Sequence, residues 1–470
     1  MGDIFMKEKN NENTLTLKHK VGYGLGDCGG VMTFALMGST FSMYCTDALG
    51  INPSTLALLL LIWNVWDFIN DPLMGAWIDK AFARSTNPKG KFRPWILRST
   101  PLLAVTFIAL WSVPSLVEGL TRLCVLFALK ILYEGAYTTF NIPMGSLLSA
   151  MADTDGERAS LSSARGIGSA LATLISLFIM PLFLKKFGEN NPTGYAIGAA
   201  VCAIIGFAMC MAHYYMTEER HNNNTNPQDG DNIKVTDILQ VIKVNRPFVA
   251  LCVHGLFICM MQYVGSTLSN YMYSDVLGDI SIAGYGTLLS APFMLVIFIC
   301  GPMVAKKVGL EKLIRYGLLA SCFLYLSLFA TMMFTNINPW VYAVWSNTAL
   351  GVASISIYMQ WGLVGEAIDY NEMITGKRTE GSIYGTFNLS RRVGQTIGNS
   401  AAMLLLGWIG YNGAAAVQEA STINGIKVLT VLLPGILVLG SWVAFKFLWN
   451  MDDEMRRKVY EFKVGKKANG

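Results

Sequence analysis

The chain has 470 residues, of which 53% are apolar and 14% are charged, and its formal net charge is +5. A soluble globular protein carries about 25% charged residues, and here the apolar residues fall in long blocks, with a mean hydropathy of +0.42. The composition therefore predicts a polytopic membrane protein and excludes a soluble enzyme, a disordered chain and a secreted disulfide scaffold. Because the basic residues are scattered between apolar blocks, it also argues against nucleic-acid binding.

Twelve apolar stretches are long enough to cross the hydrocarbon core as helices, which takes about 20 residues each. They do not alternate with a period of two, so a β-barrel is excluded. The predicted fold is an all-α membrane protein with twelve transmembrane helices. The predicted spans are 22–47, 55–79, 93–114, 120–150, 162–186, 193–216, 247–274, 282–305, 311–334, 339–368, 382–411 and 424–449.

Lysine and arginine concentrate after the even-numbered spans and in both tails, whereas most of the opposite loops lack them. This bias predicts that both termini are cytoplasmic in a multi-pass protein of the cell (inner or plasma) membrane. The longest polar stretch separates six spans from six. We therefore expect two parallel six-helix halves around a midplane cavity, as in the major-facilitator architecture. The predicted domains are 1–216 and 247–450, with a linker at 217–246 and a cytoplasmic tail at 451–470.

The second span contains two acidic residues in the sequence WDFINDPLMG. Asp67 and Asp71 are spaced i, i+4 and share one helix face. Each charge at the centre of a membrane costs about 2.5–3.5 kcal/mol, so such residues are usually functional. Two carboxylates on one face become tolerable when a cation lies between them or one takes a proton. The pattern predicts a site for a coupling cation; the alternative is that both acids cap or pair near a helix end.

The fourth span carries a polar stripe that suits a sugar. Tyr137 and Asn141 share a face just before Pro143, so an aromatic ring lies beside an amide. The alternative is a proline kink with a packed tyrosine. Lys130 and Glu134 are also spaced i, i+4 and are predicted to pair with each other, with a proton-relay role for Glu134 as the alternative.

Four further charged residues lie inside predicted spans. Arg165 lies two turns into the fifth span and needs an acid of another helix or a substrate as its partner. Asp27, in the first span, is either an acceptor for a sugar hydroxyl or the partner of a loop cation. Arg391 and Arg392 point about 100° apart on a helix, so at most one faces the cavity; we assign Arg392, with Trp361 of the tenth span, to the substrate site.

Charges also cluster at the predicted cytoplasmic face, in the sequence VGEAIDYNEMITGKRTEG. Glu366 and Asp369 close the tenth span, Arg378 lies in the following turn, and Arg158 lies at the cytoplasmic end of the fifth span. The cluster is typical of a salt-bridged gate, and the alternative is a solvated loop.

Several of these motifs together resemble the glycoside–pentoside–hexuronide:cation symporters of the major facilitator superfamily, among them the melibiose permease. The resemblance implies that the paired cation-site acids are Asp67 and Asp71, and that the sugar-site arginine and tyrosine are Arg165 and Tyr137. The motifs are GYGLGD (22–27), YCTDALG (44–50), WDFINDPLMG (66–75), KGKFRPWIL (89–97), NIPMGSL (141–147), ERASLSSARGIG (157–168) and EAIDYNEMITGKRTEG (366–381).

Several positions depart from the melibiose permease pattern, including Gly30, Val31 and Gly145, which stand where that protein has a Lys-Asp pair and a tryptophan. The third acid of that protein falls on Asn141, which we retain as a residue of both the cation site and the substrate site, and its helix-11 lysine falls on Arg392. The departures argue against melibiose as the substrate. Members resembling glucuronide and xyloside transporters share the Asn-Ile-Pro sequence, and this likeness implies proton coupling rather than sodium coupling.

The expected function is therefore uptake of a glycoside or hexuronide with a cation, H⁺ or alternatively Na⁺, by alternating access. No catalytic residue set, metal cluster or cofactor loop occurs in the sequence, so we expect neither an enzyme nor a cofactor. The expected partners are the small-molecule substrate and membrane lipid, with the protein as a monomer. The alternatives are a lysolipid or amphiphile symporter on the same fold and a sugar receptor that does not transport.

Overall fold

The computed structural model describes residues 15–83, 90–152, 155–220, 243–376, 380–415 and 417–469. Within these ranges the chain is almost entirely helical, which confirms the all-α prediction, and a long helix coincides with each predicted span. The helices are α1 (Leu17–Ser39), α2 (Pro53–Ala83), α3 (Arg93–Ser112), α4 (Gly119–Met151), α5 (Asp155–Phe187), α6 (Pro192–Met216), α7 (Arg246–Tyr271), α8 (Ser281–Val308), α9 (Leu310–Phe334), α10 (Pro339–Thr375), α11 (Glu380–Trp408), α12 (Ala420–Lys427, Val428–Leu432 and Leu433–Leu448) and α13 (Asp453–Asn469). Among the described residues, seven helices are long and apolar enough to cross a membrane by length and composition alone.

Asparagine followed by proline sets the start of several helices. Asn191, Asn245 and Asn338 each accept a backbone N–H of the first turn through the side-chain oxygen, and proline occupies the first or second helical position of α6, α7 and α10. The amide oxygen satisfies a donor that the helix leaves unpaired, and proline has no N–H to leave unsatisfied there. The beginnings of these spans are therefore encoded locally.

Helices α1 and α7 end in the same way. Each passes into a π-helical turn, Tyr44–Ala48 after α1 and Met272–Val276 after α7. Each turn leads through leucine to a glycine with positive φ, 66° at Gly50 and 72° at Gly278, a conformation that glycine adopts without strain. The corresponding sequences, YCTDALG (44–50) and MYSDVLG (272–278), are an internal repeat, with one copy in each half of the chain.

The chain forms two compact units, one of residues 1–50 and 62–225 and the other of residues 51–61 and 226–470. In the first unit, α1 packs against α5 and α6, and α3 packs against α4 and α6. In the second unit, α7 packs against α11 and α12, while α10 packs against α8 and α9. The first unit contains the residues predicted for the cation and for most of the sugar contacts.

The terminal segment contains a helix that the sequence analysis did not predict. Residues 451–470 were expected to be a plain tail, but α13 occupies most of them. Buried Met451 and Val459 pack with Tyr370 of α10, and Met455 and Trp449 pack around them. The tail is thus an amphipathic helix anchored on the second unit.

Candidate functional site

Glycines in two of the recognised motifs bring α1 and α5 into backbone contact. A Cβ added at Gly24 would lie 2.7 Å from the carbonyl oxygen of Ala164, and one added at Gly168 would overlap the carbonyl oxygen of Gly24. Helices in a membrane associate through such close packing, since lipid tails are as apolar as their side chains. Only glycine permits this crossing, which places Asp27 next to Arg165.

Asp27 and Arg165 form an ion pair across this helix crossing. The Arg165 Nε donates to Asp27 Oδ1 at 2.8 Å, and the Ser169 hydroxyl donates to the other carboxylate oxygen. Asp27 is 5% exposed, whereas 38% of the Arg165 side chain is exposed. The buried carboxylate is satisfied by two donors, and it holds one edge of a guanidinium that remains accessible. The loop-cation alternative for Asp27 is wrong, because its partner lies within α5.

Tyr137 belongs to an aromatic group next to this ion pair. Its ring stacks on Phe34 with a centroid distance of 5.1 Å and on Tyr133 at 6.3 Å, and a Cβ added at Gly30, about one turn beyond Asp27 on α1, would lie 3.9 Å from it. A Cβ added at Gly145 would lie 3.7 Å from Arg165 Nη1, so the α4 backbone comes close to the guanidinium. The structure therefore brings Asp27, Arg165 and Tyr137 together in the first unit.

Asn141 lies one turn beyond Tyr137 on α4 and is half-buried. Helix α4 continues without a break through Pro143 to Met151. The proline therefore does not end the helix, and Asn141 keeps the i, i+4 spacing to Tyr137 that the sequence predicted.

The predicted cation site lies on α2, which is helical through both acids. Asp67 is half-buried, whereas the side chain of Asp71 lies outside the described residues. Between them, Asn70 is 8% exposed, and its Nδ2 has no hydrogen-bond partner among the residues that the structure describes. A buried amide without its full set of hydrogen bonds is unusual, and sequence analysis missed Asn70 because an amide carries no charge. The cation site itself stays a prediction.

In the second unit, Trp361 contacts the arginine that the sequence analysis did not choose. The Arg391 guanidinium lies over the Trp361 ring at 5.3 Å from its centroid, and Trp361 packs edge-on against Phe387 at 5.3 Å. Arg392 is exposed and Trp361 is 37% exposed. A cation over an aromatic face is a favourable contact, so Arg391 joins Trp361 as a candidate. The assignment of Arg392 to substrate stays a prediction.

The predicted gate is only partly described. Glu366 Oε2 accepts from Arg456 Nε of α13 at 3.1 Å, a partner that the sequence analysis missed because it lies 90 residues away. Asp369 is half-buried. The side chain of Arg158 and the whole of Arg378 lie outside the described residues, so the gate stays a prediction.

Comparisons with known proteins agree with the fold. Residues 22–452 match the family model described as MFS/sugar transport protein. The chain is 30% identical over 467 residues to the glucuronide carrier protein homolog of Escherichia coli (strain K12), covering 95% of this chain and 96% of that protein. It is 28% identical over 455 residues to the uncharacterized symporter YjmB of Bacillus subtilis (strain 168), covering 96% of each.

The nucleoside transporter NupG shares the fold, with a TM-score of 0.62 at 14% identity over 92% of this chain and 100% of that chain. The predicted resemblance and the predicted twelve-helix major-facilitator fold are thereby confirmed. Symporters of this superfamily need no cofactor, since the coupling cation is itself transported. The chain belongs to the MFS/sugar transport protein family and is a multi-pass membrane transporter, not an enzyme, whose activity is, at a general level, sugar–cation symport.

Proposed function

We propose that this protein takes up a glycoside or a hexuronide together with a proton, by alternating access. The observation that carries the proposal is the Asp27–Arg165 pair, in which a buried carboxylate fixes a partly exposed guanidinium beside Tyr137. The glucuronide carrier homolog among the relatives supports a hexuronide or a glycoside as the substrate class.

Arg165 supplies donors for recognition. Its Nε is occupied by Asp27, and the Tyr23 side chain lies within hydrogen-bonding reach of the guanidinium. The remaining N–H groups of the terminal nitrogens bind sugar hydroxyls or a carboxylate in the planar geometry that arginine favours. The ring of Tyr137 offers a surface for the apolar face of a pyranose, and Asn141 offers an amide. In the second unit, Trp361 and Arg392 are further proposed contacts for substrate.

Asp67 and Asp71 couple transport to the cation. When both are ionised, their repulsion disfavours the compact arrangement of α2. A bound proton, or a sodium ion in the alternative, removes this repulsion and allows the transporter to change orientation with sugar bound. Each positive charge that enters gains about 2.3 kcal/mol per 100 mV of membrane potential, which drives accumulation of the sugar.

The protein lies in the inner or plasma membrane with both termini in the cytoplasm. The distribution of lysine and arginine between the loops supports this orientation. The protein works there as a monomer surrounded by lipid. Glu366, Asp369, Arg158 and Arg378 are proposed to close the cytoplasmic gate.

Uptake by purified protein in proteoliposomes tests the proposal. Radiolabelled glucuronides and neutral glycosides are offered with an imposed pH gradient, an imposed sodium gradient or neither. We expect concentrative uptake of at least one sugar under the pH gradient alone. Sodium-only uptake would overturn proton coupling, competition by lysolipids but not by glycosides would indicate an amphiphile symporter, and binding without uptake would indicate a receptor.

A further inference from the structure

A buried ion pair in α4 has no role in the function proposed above. Lys130 Nζ forms a salt bridge with Glu134 Oε1, and the two residues are 7% and 9% exposed. Both lie in the middle of a membrane-spanning helix, far from its ends at Gly119 and Met151. Burying two charges costs several kcal/mol that their mutual attraction often fails to offset, and charges at this depth are usually functional.

The pair lies against α2, the helix of the predicted cation site. Lys130 Nζ is 6.0 Å from the ring centroid of Trp63 and 5.7 Å from that of Tyr133. The Trp63 ring also stacks on Phe127 of α4 at 5.9 Å. Trp63 of α2 therefore contacts α4 through both Lys130 and Phe127.

Helix geometry then predicts that Glu134 lies level with Asp67. Successive membrane spans alternate in direction, so α2 and α4 run the same way through the membrane. Asp67 follows Trp63 by four residues and Glu134 follows Lys130 by four, which is about 6 Å along each helix axis. Because residues four apart share a face, Asp67 lies one turn beyond Trp63 on the side of α2 that meets α4.

The same face of α4 leads onward to the sugar residues. Lys130, Glu134, Tyr137 and Asn141 follow at intervals of four, three and four residues, the spacing of one helical stripe. Tyr133, beside the stripe, stacks on Tyr137 at 6.3 Å and donates from its hydroxyl to Thr33 of α1 at 3.2 Å. The ion pair thus lies beside the residues proposed to bind the cation and those proposed to bind the sugar.

We propose that Lys130 is a built-in cation of the coupling site. When the site holds no transported cation, the Lys130 ammonium lies between Glu134 and Asp67 and shields both; when the cation binds, the ammonium pairs with Glu134 alone. The structure shows the Lys130–Glu134 pair on which this exchange is built. Lysine suits this exchange because its compact charge sits on a flexible four-carbon stem. Because the ammonium keeps its contact with Glu134 in both states, the buried Glu134 carboxylate stays compensated throughout. The inference rests on the proposed function and adds two residues to its coupling mechanism.

The main test uses the double variant Lys130→Met/Glu134→Gln, which removes both charges and leaves none unpaired. Steady-state accumulation driven by a pH gradient and sugar counterflow at equal pH are measured in the same proteoliposomes. We expect counterflow within about twofold of wild type, because exchange needs no net cation movement. Accumulation should fall about tenfold or more, since each pH unit of the imposed gradient supports about a tenfold sugar gradient only while proton and sugar movement are coupled.

A matched control lies in the second unit. Arg315 and Glu311 form another i, i+4 ion pair at 2.9 Å on α9, with a Glu311 side chain that is also buried. Glu311→Gln/Arg315→Met should leave accumulation close to wild type. Wild-type accumulation by Lys130→Met/Glu134→Gln would show that its ion pair only stabilises α4 and would overturn the inference.

The conservative variant Lys130→Arg covers the case in which the double variant fails to fold. Arginine keeps the charge but binds carboxylates more firmly through its planar fork, so it should compete harder with the transported cation. We expect the half-saturating cation concentration to rise several-fold with counterflow unchanged; an unchanged value would overturn the inference. If wild type accumulates no sugar under any gradient, the proposed function falls and this inference falls with it, whereas wild-type accumulation with unaffected variants removes only the inference.

Discussion

At the scale of single residues, the pairing of Asp27 with Arg165 is the feature that the sequence only half revealed. Both residues stand out because charges inside apolar spans are rare. Their pairing depends on the α1–α5 crossing, which no local pattern encodes. The glycines that permit the crossing are visible in the sequence, but which helix they approach is not.

We expect Asp27→Asn to weaken substrate binding, because it removes the charge that holds the Arg165 guanidinium in place. Arg165→Ala should weaken binding more. Since the two residues form one unit, the losses in Asp27→Asn/Arg165→Ala should not add, with a coupling energy of about 1–3 kcal/mol. Calorimetric titration of the four proteins with the transported sugar measures this.

A serine on the same helix supplies the control. Ser176 is buried and donates only along α5, to the carbonyl oxygen of Ala172 at 2.8 Å, so Ser176→Ala should leave substrate affinity unchanged. Strictly additive losses in the Asp27 and Arg165 variants would show that the pair does not act together on substrate.

The sequence does not predict which of Arg391 and Arg392 contacts Trp361. Helix geometry predicts that the two diverge, but it does not say which neighbours each one meets. Arg391 meets Trp361 because α10 and α11 bring them to 5.3 Å. The cation–aromatic contact arises from tertiary packing alone.

At the scale of elements, the start of α3 depends on a distant carboxylate. Glu219 accepts the backbone N–H groups of Lys91 at 2.7 Å, Phe92 at 2.7 Å and Arg93 at 2.9 Å. A carboxylate is favoured there because the first N–H groups of a helix have no partner within the helix and carry a partial positive charge. The apolar run predicted the body of α3, but a cap more than 120 residues away could not be predicted.

We expect Glu219→Ala to destabilise the first unit by about 2 kcal/mol, the upper range for loss of a helix cap. The comparison is Glu218→Ala, which removes an exposed neighbour of the same charge. Thermal unfolding of the detergent-solubilised variants should show a lower Tm for Glu219→Ala only. Equal midpoints would mean that the cap adds nothing.

The terminal helix α13 is held mainly by apolar contact. Its ion pair between Arg456 and Glu366 is partly exposed, and such pairs contribute about 1 kcal/mol or less. Val459 is 6% exposed within the cluster, whereas its neighbour Tyr460 is 68% exposed. The side that carries Val459 should therefore decide whether α13 stays in place.

Val459→Asp should release α13, because burying a valine side chain contributes about 2 kcal/mol and a buried carboxylate adds a penalty. Hydrogen exchange of residues 453–462, followed by mass spectrometry, should accelerate about tenfold or more in this variant. Tyr460→Asp places the same charge on the exposed side and should exchange like wild type. Equal protection in both variants would contradict the apolar docking of α13.

At the scale of the whole molecule, composition and periodicity predicted most of the fold. Apolar runs predicted the twelve long helices because a membrane demands continuous helices of nearly fixed length. The duplicated turn at Gly50 and Gly278 indicates that the two halves are related. The sequences YCTDALG and MYSDVLG already contain this repeat. The Lys130–Trp63 contact and the packing of α13 on α10 could not be predicted, because they join residues that are far apart in the sequence.

The central claim is that Asp67 and Asp71 couple sugar movement to a cation. The most direct measurement is pH-gradient-driven sugar accumulation by Asp67→Asn and by Asp71→Asn in proteoliposomes, with sugar counterflow recorded in the same vesicles. The account predicts that both variants lose accumulation while counterflow persists, because the sugar residues are intact. Accumulation at the wild-type level in both variants would contradict it.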